Sequence, residues 1–95
     1  MSFQTGRVTI GTSGAALISS DTSERADIGV QIYADSANTE AIYLGNSTAV
    51  TADSSDTTDG YPLQAGAEIL ITNRDPNEIF AICASGGQKV WFIIV

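Results

Sequence analysis

The stretch "DIGVQIYADSANTEAIYLG", residues 27 to 45, predicts the fold class. In an extended chain, Ile28, Val30 and Ile32 fall on one face, and the residues between them fall on the opposite face. After the turn-forming residues "DSANT" the alternation resumes, with Ile42 and Leu44 on one face. Two half-buried strands separated by turn residues indicate antiparallel β-structure.

The same pattern extends in both directions, and no stretch keeps the periodicity of an amphipathic helix. The consecutive glycines of "SGGQ" predict a tight hairpin before the last strand. The predicted strands cover residues 7–10, 15–19, 27–34, 40–44, 68–72, 79–84 and 89–94, with a further short one near 49–51. We therefore expect one all-β domain over residues 1–95, a single antiparallel β-sandwich or jelly roll of seven or eight short strands, with a flexible N-terminal arm at 1–6.

The small size of the chain and its last strand favour self-association. Area scaling for a chain of this mass leaves roughly 5,200 Å² exposed, which allows one thin core with little stability in reserve. The final run "VWFIIV" is apolar on both faces, which is rare in antiparallel strands unless something covers the second face. Either a loop or another subunit covers it, and the small size favours a homo-oligomer. The candidate oligomer interface is Trp91, Ile93 and Val95.

The charge of the chain argues against two classes of partner. Eleven acidic residues face four basic ones, for a net charge of −7. Affinity for nucleic acid or an anionic membrane comes largely from Lys and Arg, and the four here are scattered: Arg7, Arg25, Arg74 and Lys89. The longest apolar run is far too short to span a bilayer. We therefore expect neither a nucleic acid nor a membrane partner.

The residue types needed for most catalysis are missing. The chain contains no histidine, which excludes a Ser-His-Asp triad, Cys-His catalysis and zinc sites of the Cys/His type. The single cysteine, Cys83, lies in the apolar run "IFAICASG" and is expected to be a buried small hydrophobe. Most of the acids lie in predicted turns, and so small a sandwich seldom forms a deep cleft. We predict that the protein is not an enzyme and has no cofactor.

A long polar connection, "NSTAVTADSSDTTDGY", follows the strand that ends in "YLG". Its three acids are spaced by three, and no Glu closes the loop at the distance that an EF-hand requires. A looser calcium site that uses these acids and backbone carbonyls is one alternative, and a solvated loop whose polar residues cap its own turns is the other. Because long connections are often functional, we predict a partner-binding loop with Asn46, Asp53, Asp56, Asp59 and Tyr61.

Several of these stretches occur together in one group of proteins. The order "AIYLGN", a Ser/Thr loop, "GYPLQAGAEILI", "EIFAICASGG" and a last strand resembles small tailed-bacteriophage virion proteins of the capsid decoration (cement) or head-fibre type. In that group a "(V/I)Y(I/L)G" strand is followed by "G(Y/F)PL-x-AG-E" and an "(Y/F)AI-A-SG" hairpin. The resemblance covers roughly residues 28 to 95. It implies a β-sandwich or jelly roll with a structural role, and it carries no catalytic residue.

The resemblance implies a decoration protein that assembles in the host cytoplasm, with a homotrimer favoured, on the capsid surface of the virion. There it would bridge neighbouring copies of the major capsid protein. The alternative is a head-fibre or tail-appendage module that binds a host surface ligand such as carbohydrate through exposed aromatic residues; the candidates are Tyr33, Tyr43, Tyr61 and Trp91. We expect Trp91 and at least one of the tyrosines to lie in the core instead. A third hypothesis, an acidic protein that mimics DNA, is disfavoured because the acids are neither dense nor regularly spaced along a helix.

Overall fold

In the computed structural model of the chain, the described residues are 4–17, 28–52, 59–72, 75 and 78–95. Within these ranges the protein is all-β, with eight strands and no α-helix, so nothing described could span a membrane as a helix. The strands are β1 (Gln4–Ile10), β2 (Ala15–Ala16), β3 (Val30–Ala34), β4 (Ile42–Gly45), β5 (Tyr61–Leu63), β6 (Glu68–Ile71), β7 (Phe80–Ile82) and β8 (Gln88–Ile94).

The strands form two antiparallel four-stranded sheets, in the orders β1-β8-β3-β6 and β2-β7-β4-β5. The pairs β1–β8, β2–β7, β3–β6 and β4–β5 are those of one long hairpin, and the further pairs β8–β3 and β7–β4 roll that hairpin into two sheets. This is the strand order of a jelly roll. The predicted β-sandwich or jelly roll is confirmed, and the exposed area of 5176 Å² agrees with the scaling estimate.

The core lies between the two sheets, and the inward-facing side chains alternate along the strands as predicted. Its largest fully buried side chains are Ile32, Ile42, Ile94, Val30, Val90 and Cys83. The Cys83 thiol donates to the Ile10 carbonyl oxygen at 3.3 Å, so the predicted buried cysteine is confirmed.

Ile28 does not follow the alternation that predicted β3. Its side chain is 61% exposed, and β3 begins only at Val30. The N–H groups of Ile28 and Gly29 both donate to the Val95 carbonyl, at 2.8 and 3.2 Å, so two residues face one on the neighbouring strand. That is the arrangement of a β-bulge, and the extra residue shifts the alternation by one position. Ile28 therefore leaves the core.

Several other predictions at the ends of strands need correction. The flexible arm was predicted at residues 1–6, but Gln4–Gly6 belong to β1 and pair with β8; residues 1–3 lie outside the described ranges. The region 49–51 is not a strand, because Thr51 makes only an isolated parallel bridge to Asp59. Strand β5 was absent from the predicted strands. Its Pro62, which lacks an N–H, is tolerated because β5 is an edge strand.

The hairpin predicted at "SGGQ" is wrong, although its glycines behave as predicted. Gly86 and Gly87 both have a φ of 79°, the positive region that glycine adopts most readily. The strands on either side do not pair, because β7 lies in one sheet and β8 in the other. The turn therefore carries the chain across the sandwich.

Two amide side chains join this crossing to a second one, the β3–β4 connection at residues 35–41. Buried Gln88 accepts from the Thr39 N–H at 2.8 Å and donates to the Thr39 hydroxyl and the Gly86 carbonyl. Asn38 pairs with the backbone of Lys89 in both directions, donating at 2.9 Å and accepting at 2.8 Å. These contacts hold the β3–β4 crossing against the β7–β8 crossing.

We predict that Gln88→Ala lowers the free energy of unfolding by about 1–3 kcal/mol, because it removes three hydrogen bonds at a part-buried site. Urea denaturation measures the change. The matched control is Gln64→Ala, at an exposed turn position, which should change stability by less than about 0.5 kcal/mol. Equal effects of the two substitutions would contradict the structural role of Gln88.

Candidate functional site

The long connection between β4 and β5 is held at one apolar point, Val50, which is only 7% exposed. Three glycines make room for it. A Cβ atom on Gly45 or on Gly60 would lie 2.7 Å from Val50 Cγ2, and one on Gly14 would lie 3.1 Å from Val50 Cγ1. The distances at Gly45 and Gly60 are shorter than real side chains allow and the one at Gly14 is tighter than most, so the polar loop is anchored by a valine that packs into a cradle of glycines.

Next to this anchor is a pocket of about 570 Å³, which lies between the edge strands β5 and β6 of the two sheets. We call it the edge pocket. Its residues are Leu44, Gly45, Asn46, Ser47, Ala49, Val50, Asp59, Gly60, Tyr61, Ile69, Ile71, Glu78 and Ile79. The aliphatic members form an apolar lining, and the polar ones supply amide, hydroxyl and carboxylate groups. This combination suits an apolar group that is held in place by a few hydrogen bonds.

The structure brings together three of the five residues that were predicted for the partner-binding loop. Asn46, Asp59 and Tyr61 all line the edge pocket, and Tyr61 is 62% exposed. Asp53 and Asp56 lie outside the described residues, so the calcium alternative stays a prediction.

Asp59 has a structural task as well as a place in the pocket. Its carboxylate accepts from the Thr51 hydroxyl at 2.8 Å, and the Gly60 N–H donates to the Thr51 carbonyl at 3.1 Å. These bonds close the base of the loop. Among the described residues, no three or more acidic or cysteine side chains form a group that could hold a metal ion.

Sequence reasoning missed the apolar lining of the edge pocket. Ile69 and Ile71 come from β6 in one sheet, whereas Leu44 and Tyr61 come from β4 and β5 in the other. The alternation in "EILI" indicates that these isoleucines face inward. Only the strand order shows that they lie at an open edge rather than in the closed core.

The predicted oligomer interface lies elsewhere, on the outer face of the β1-β8-β3-β6 sheet. Trp91 is 44% exposed there, Ile93 is half-buried, and the Val95 N–H donates to the Gly29 carbonyl at 2.9 Å. The expectation that Trp91 belongs to the core is wrong, because the alternation of β8 directs Val90 and Ile94 inward instead. The expectation for the tyrosines is also wrong: all three are in the described ranges, and each is half-buried or exposed.

The register aligns the outer face into rows across the four strands. One row contains Arg7, Trp91, Tyr33 and Glu68, in that order, and the next contains Thr5, Ile93, Gln31 and Leu70. The Arg7 guanidinium lies 5.2 Å from the centroid of the Trp91 ring, a cation–π contact. We call these eight residues the outer sheet face.

Strand β7 has an apolar side chain, Ile82, on the face that is turned away from the core. Ile82 is buried although it lies beside half-buried Tyr43 in the register. It lines a second, smaller pocket together with Thr12, Thr51 and Ala52. The outer sheet face, in contrast, keeps Trp91 and Leu70 exposed.

Searches of protein-family models, of curated proteins and of solved structures each found no match to this chain. The resemblance to phage virion proteins therefore stays a prediction that rests on the quoted residues.

We predict that Gly45→Ala lowers the free energy of unfolding by about 1–3 kcal/mol, because the new methyl group overlaps Val50. The control is Gly11→Ala, where an added Cβ has no neighbour within 4 Å. Chemical denaturation of both variants measures the difference. In a Val50→Gly background the cost of Gly45→Ala should largely vanish, and a cost that persists there would contradict the cradle.

Proposed function

We propose that this protein is a structural protein of a phage virion, a capsid decoration (cement) protein that is not an enzyme. It binds the outer surface of the head and stabilises contacts between copies of the major capsid protein. The observation that carries the proposal is which stretches of the sequence supply the residues of the edge pocket. Nearly all of its residues outside 47–50 come from the stretches "AIYLGN", "GYPLQAGAEILI" and "EIFAICASGG", which carry the resemblance to such proteins.

The edge pocket provides the contact with the capsid. An apolar side chain of the major capsid protein enters between β5 and β6, where Leu44, Ile69 and Ile71 remove it from water. Exposed Tyr61 packs on the entering segment, in the way that aromatic anchors dominate protein interfaces. Asn46 and Ser47 supply hydrogen-bonding groups at the pocket. This role requires only binding to the capsid protein and no chemical change to it.

Stabilisation of the head follows from mass action. A protein that binds the assembled shell, and not the separated subunits, shifts the equilibrium toward the shell in proportion to its occupancy. The net charge of −7 is compatible with a position outside the head, since an acidic surface does not compete for the packaged DNA. No metal or cofactor is required for this role.

We predict that virions that lack the protein lose their genome at a lower temperature than complete virions, and that adding back the purified protein restores them. Tyr61→Ser should bind these virions at least about tenfold more weakly, because it removes an aromatic anchor. Co-sedimentation with the particles measures binding. The control is Ile28→Ser, at a side chain of nearly the same exposure that does not line the edge pocket. Unchanged heat resistance without the protein would rule out the cement role.

A second function is supported by the polar groups at the edge pocket. Tyr61 lies beside Asn46 and Asp59, and an aromatic ring next to amide and carboxylate groups is suited to a sugar. The protein would then be a head-fibre or tail-appendage module. A glycan array separates the two functions, because the cement role predicts no glycan binding and many copies on the capsid surface. Glycan binding that Tyr61→Ser abolishes, with few copies per virion, would favour the module.

A further inference from the structure

Basic and acidic side chains are separated on the outer sheet face and its margin. Arg7 lies in β1 and Lys89 in β8, whereas Glu68 lies in β6 and Asp35 directly follows β3. One half of the sheet is therefore basic and the other half acidic. The chain has only four basic residues, so half of them lie on this one surface.

The register puts these charges at matching heights along the strands. Arg7 and Glu68 are the two ends of one row, with the aromatic rings of Trp91 and Tyr33 between them. One row further along, Lys89 lies next to Asp35, whose N–H donates to the Lys89 carbonyl at 3.0 Å. Each basic residue thus has an acidic counterpart at the same height in the other half of the sheet.

We propose that the outer sheet face joins two copies of this chain in a twofold dimer, with the symmetry axis parallel to the strands between β8 and β3. This axis places the strands of the second copy in the opposite order over those of the first. Each residue keeps its position along the strand direction. Arg7 of each copy then faces Glu68 of the other, and Trp91 faces Tyr33. Lys89 faces Asp35 in the same way, so one rotation forms four ion pairs and two aromatic contacts.

A second copy fits this surface better than an unrelated protein does, because the pattern is complementary to itself. A twofold axis perpendicular to the strands would instead stack Arg7 on Arg7 and Glu68 on Glu68. Two copies with a charge of −7 each repel over most of their surface, so they can approach only where basic residues face acidic ones. The arrangement selects one orientation as well as one partner.

The dimensions of the sheet predict a weak dimer. Four strands about 4.8 Å apart, with four to seven residues each at about 3.4 Å per residue, bury on the order of 750 Å² in total when two faces meet. That area is below the standard size of specific protein pairs, as expected for weak association. Face-to-face sheets lie about 10 Å apart, a gap that facing Arg and Glu side chains can bridge. The proposed dimer differs from the trimer that the sequence favours.

Concentration-dependent sedimentation tests the dimer on the isolated protein. From about 10 µM to about 1 mM, the mass should rise from one chain toward two. Trp91 is the only tryptophan, so its fluorescence should shift to shorter wavelength over the same range as the ring leaves water. A monomer throughout, a trimer, or a dimer without the shift would overturn the proposal.

Charge reversal identifies the contact. Arg7→Glu and Glu68→Arg should each weaken self-association at least about tenfold, because each change acts twice across a twofold axis. The Arg7→Glu variant has glutamate at both positions 7 and 68, and the Glu68→Arg variant has arginine at both. When the two variants are mixed, the glutamates of one face the arginines of the other, so a heterodimer should form. Both positions are exposed, and circular dichroism checks that each variant is folded. Failure of the folded variants to pair on mixing would overturn the proposal.

The control is Tyr61→Ser, which changes the edge pocket and should leave the dimer unchanged. The dimer does not depend on the capsid proposal, since its measurement needs no capsid. A monomeric protein that still protects virions would reject the dimer alone, and a dimer that does not bind virions would reject the capsid role alone.

Discussion

The rest of the structure depends on the hydrogen bonds that hold two of the crossings between the sheets, β3–β4 and β7–β8, side by side. Gln88 and Asn38 bind the β7–β8 turn to the β3–β4 turn through their amide groups. Because of this contact, β8 starts beside the end of β3 and runs back between β3 and β1. The last strand then lies between β1 and β3 in one sheet, while β7 lies between β2 and β4 in the other. In this position β8 pairs with both neighbours in the register that aligns Trp91 with Arg7 and Tyr33, the centre of the outer sheet face.

Local patterns in the sequence were sufficient to predict most strands and the inward faces of β3 and β4, but not which face of the doubly apolar β8 is turned inward. They could not predict which strands pair, because pairing depends on contacts between distant residues. "SGGQ" illustrates the limit: its glycines predict a turn with positive φ, but the turn joins two sheets rather than two paired strands. Ile28 illustrates another, since the bulge opposite Val95 shifts the alternation. Strand β5 has three residues and a proline, too little for a periodic signal.

The candidate site was predictable in its polar part only. The length and composition of the connection after β4 indicated a functional loop, and Asn46, Asp59 and Tyr61 do line a pocket. The residue that positions the loop, Val50, gives no signal of its own in a run of Ser, Thr and Ala. Its importance comes from Gly14, Gly45 and Gly60, which are distant in sequence and close in space. The structural role of Val50 can therefore be recognised only once the fold has brought the three glycines around it.

The two surfaces are compatible because they use opposite faces of the same strand. In β6, Ile69 and Ile71 line the edge pocket, and Glu68 and Leu70 belong to the outer sheet face. The period of two in a β-strand keeps these roles apart, so a copy could bind a partner while paired with another copy. A pair presents two edge pockets, and when both engage one large surface the second contact forms at a high effective concentration. A weak dimer and a weak pocket contact would then reinforce each other on an assembled particle, while either contact alone would leave the free protein largely dissociated. Small size, which limits the area of each interface, is thus no obstacle to firm attachment to a repetitive surface.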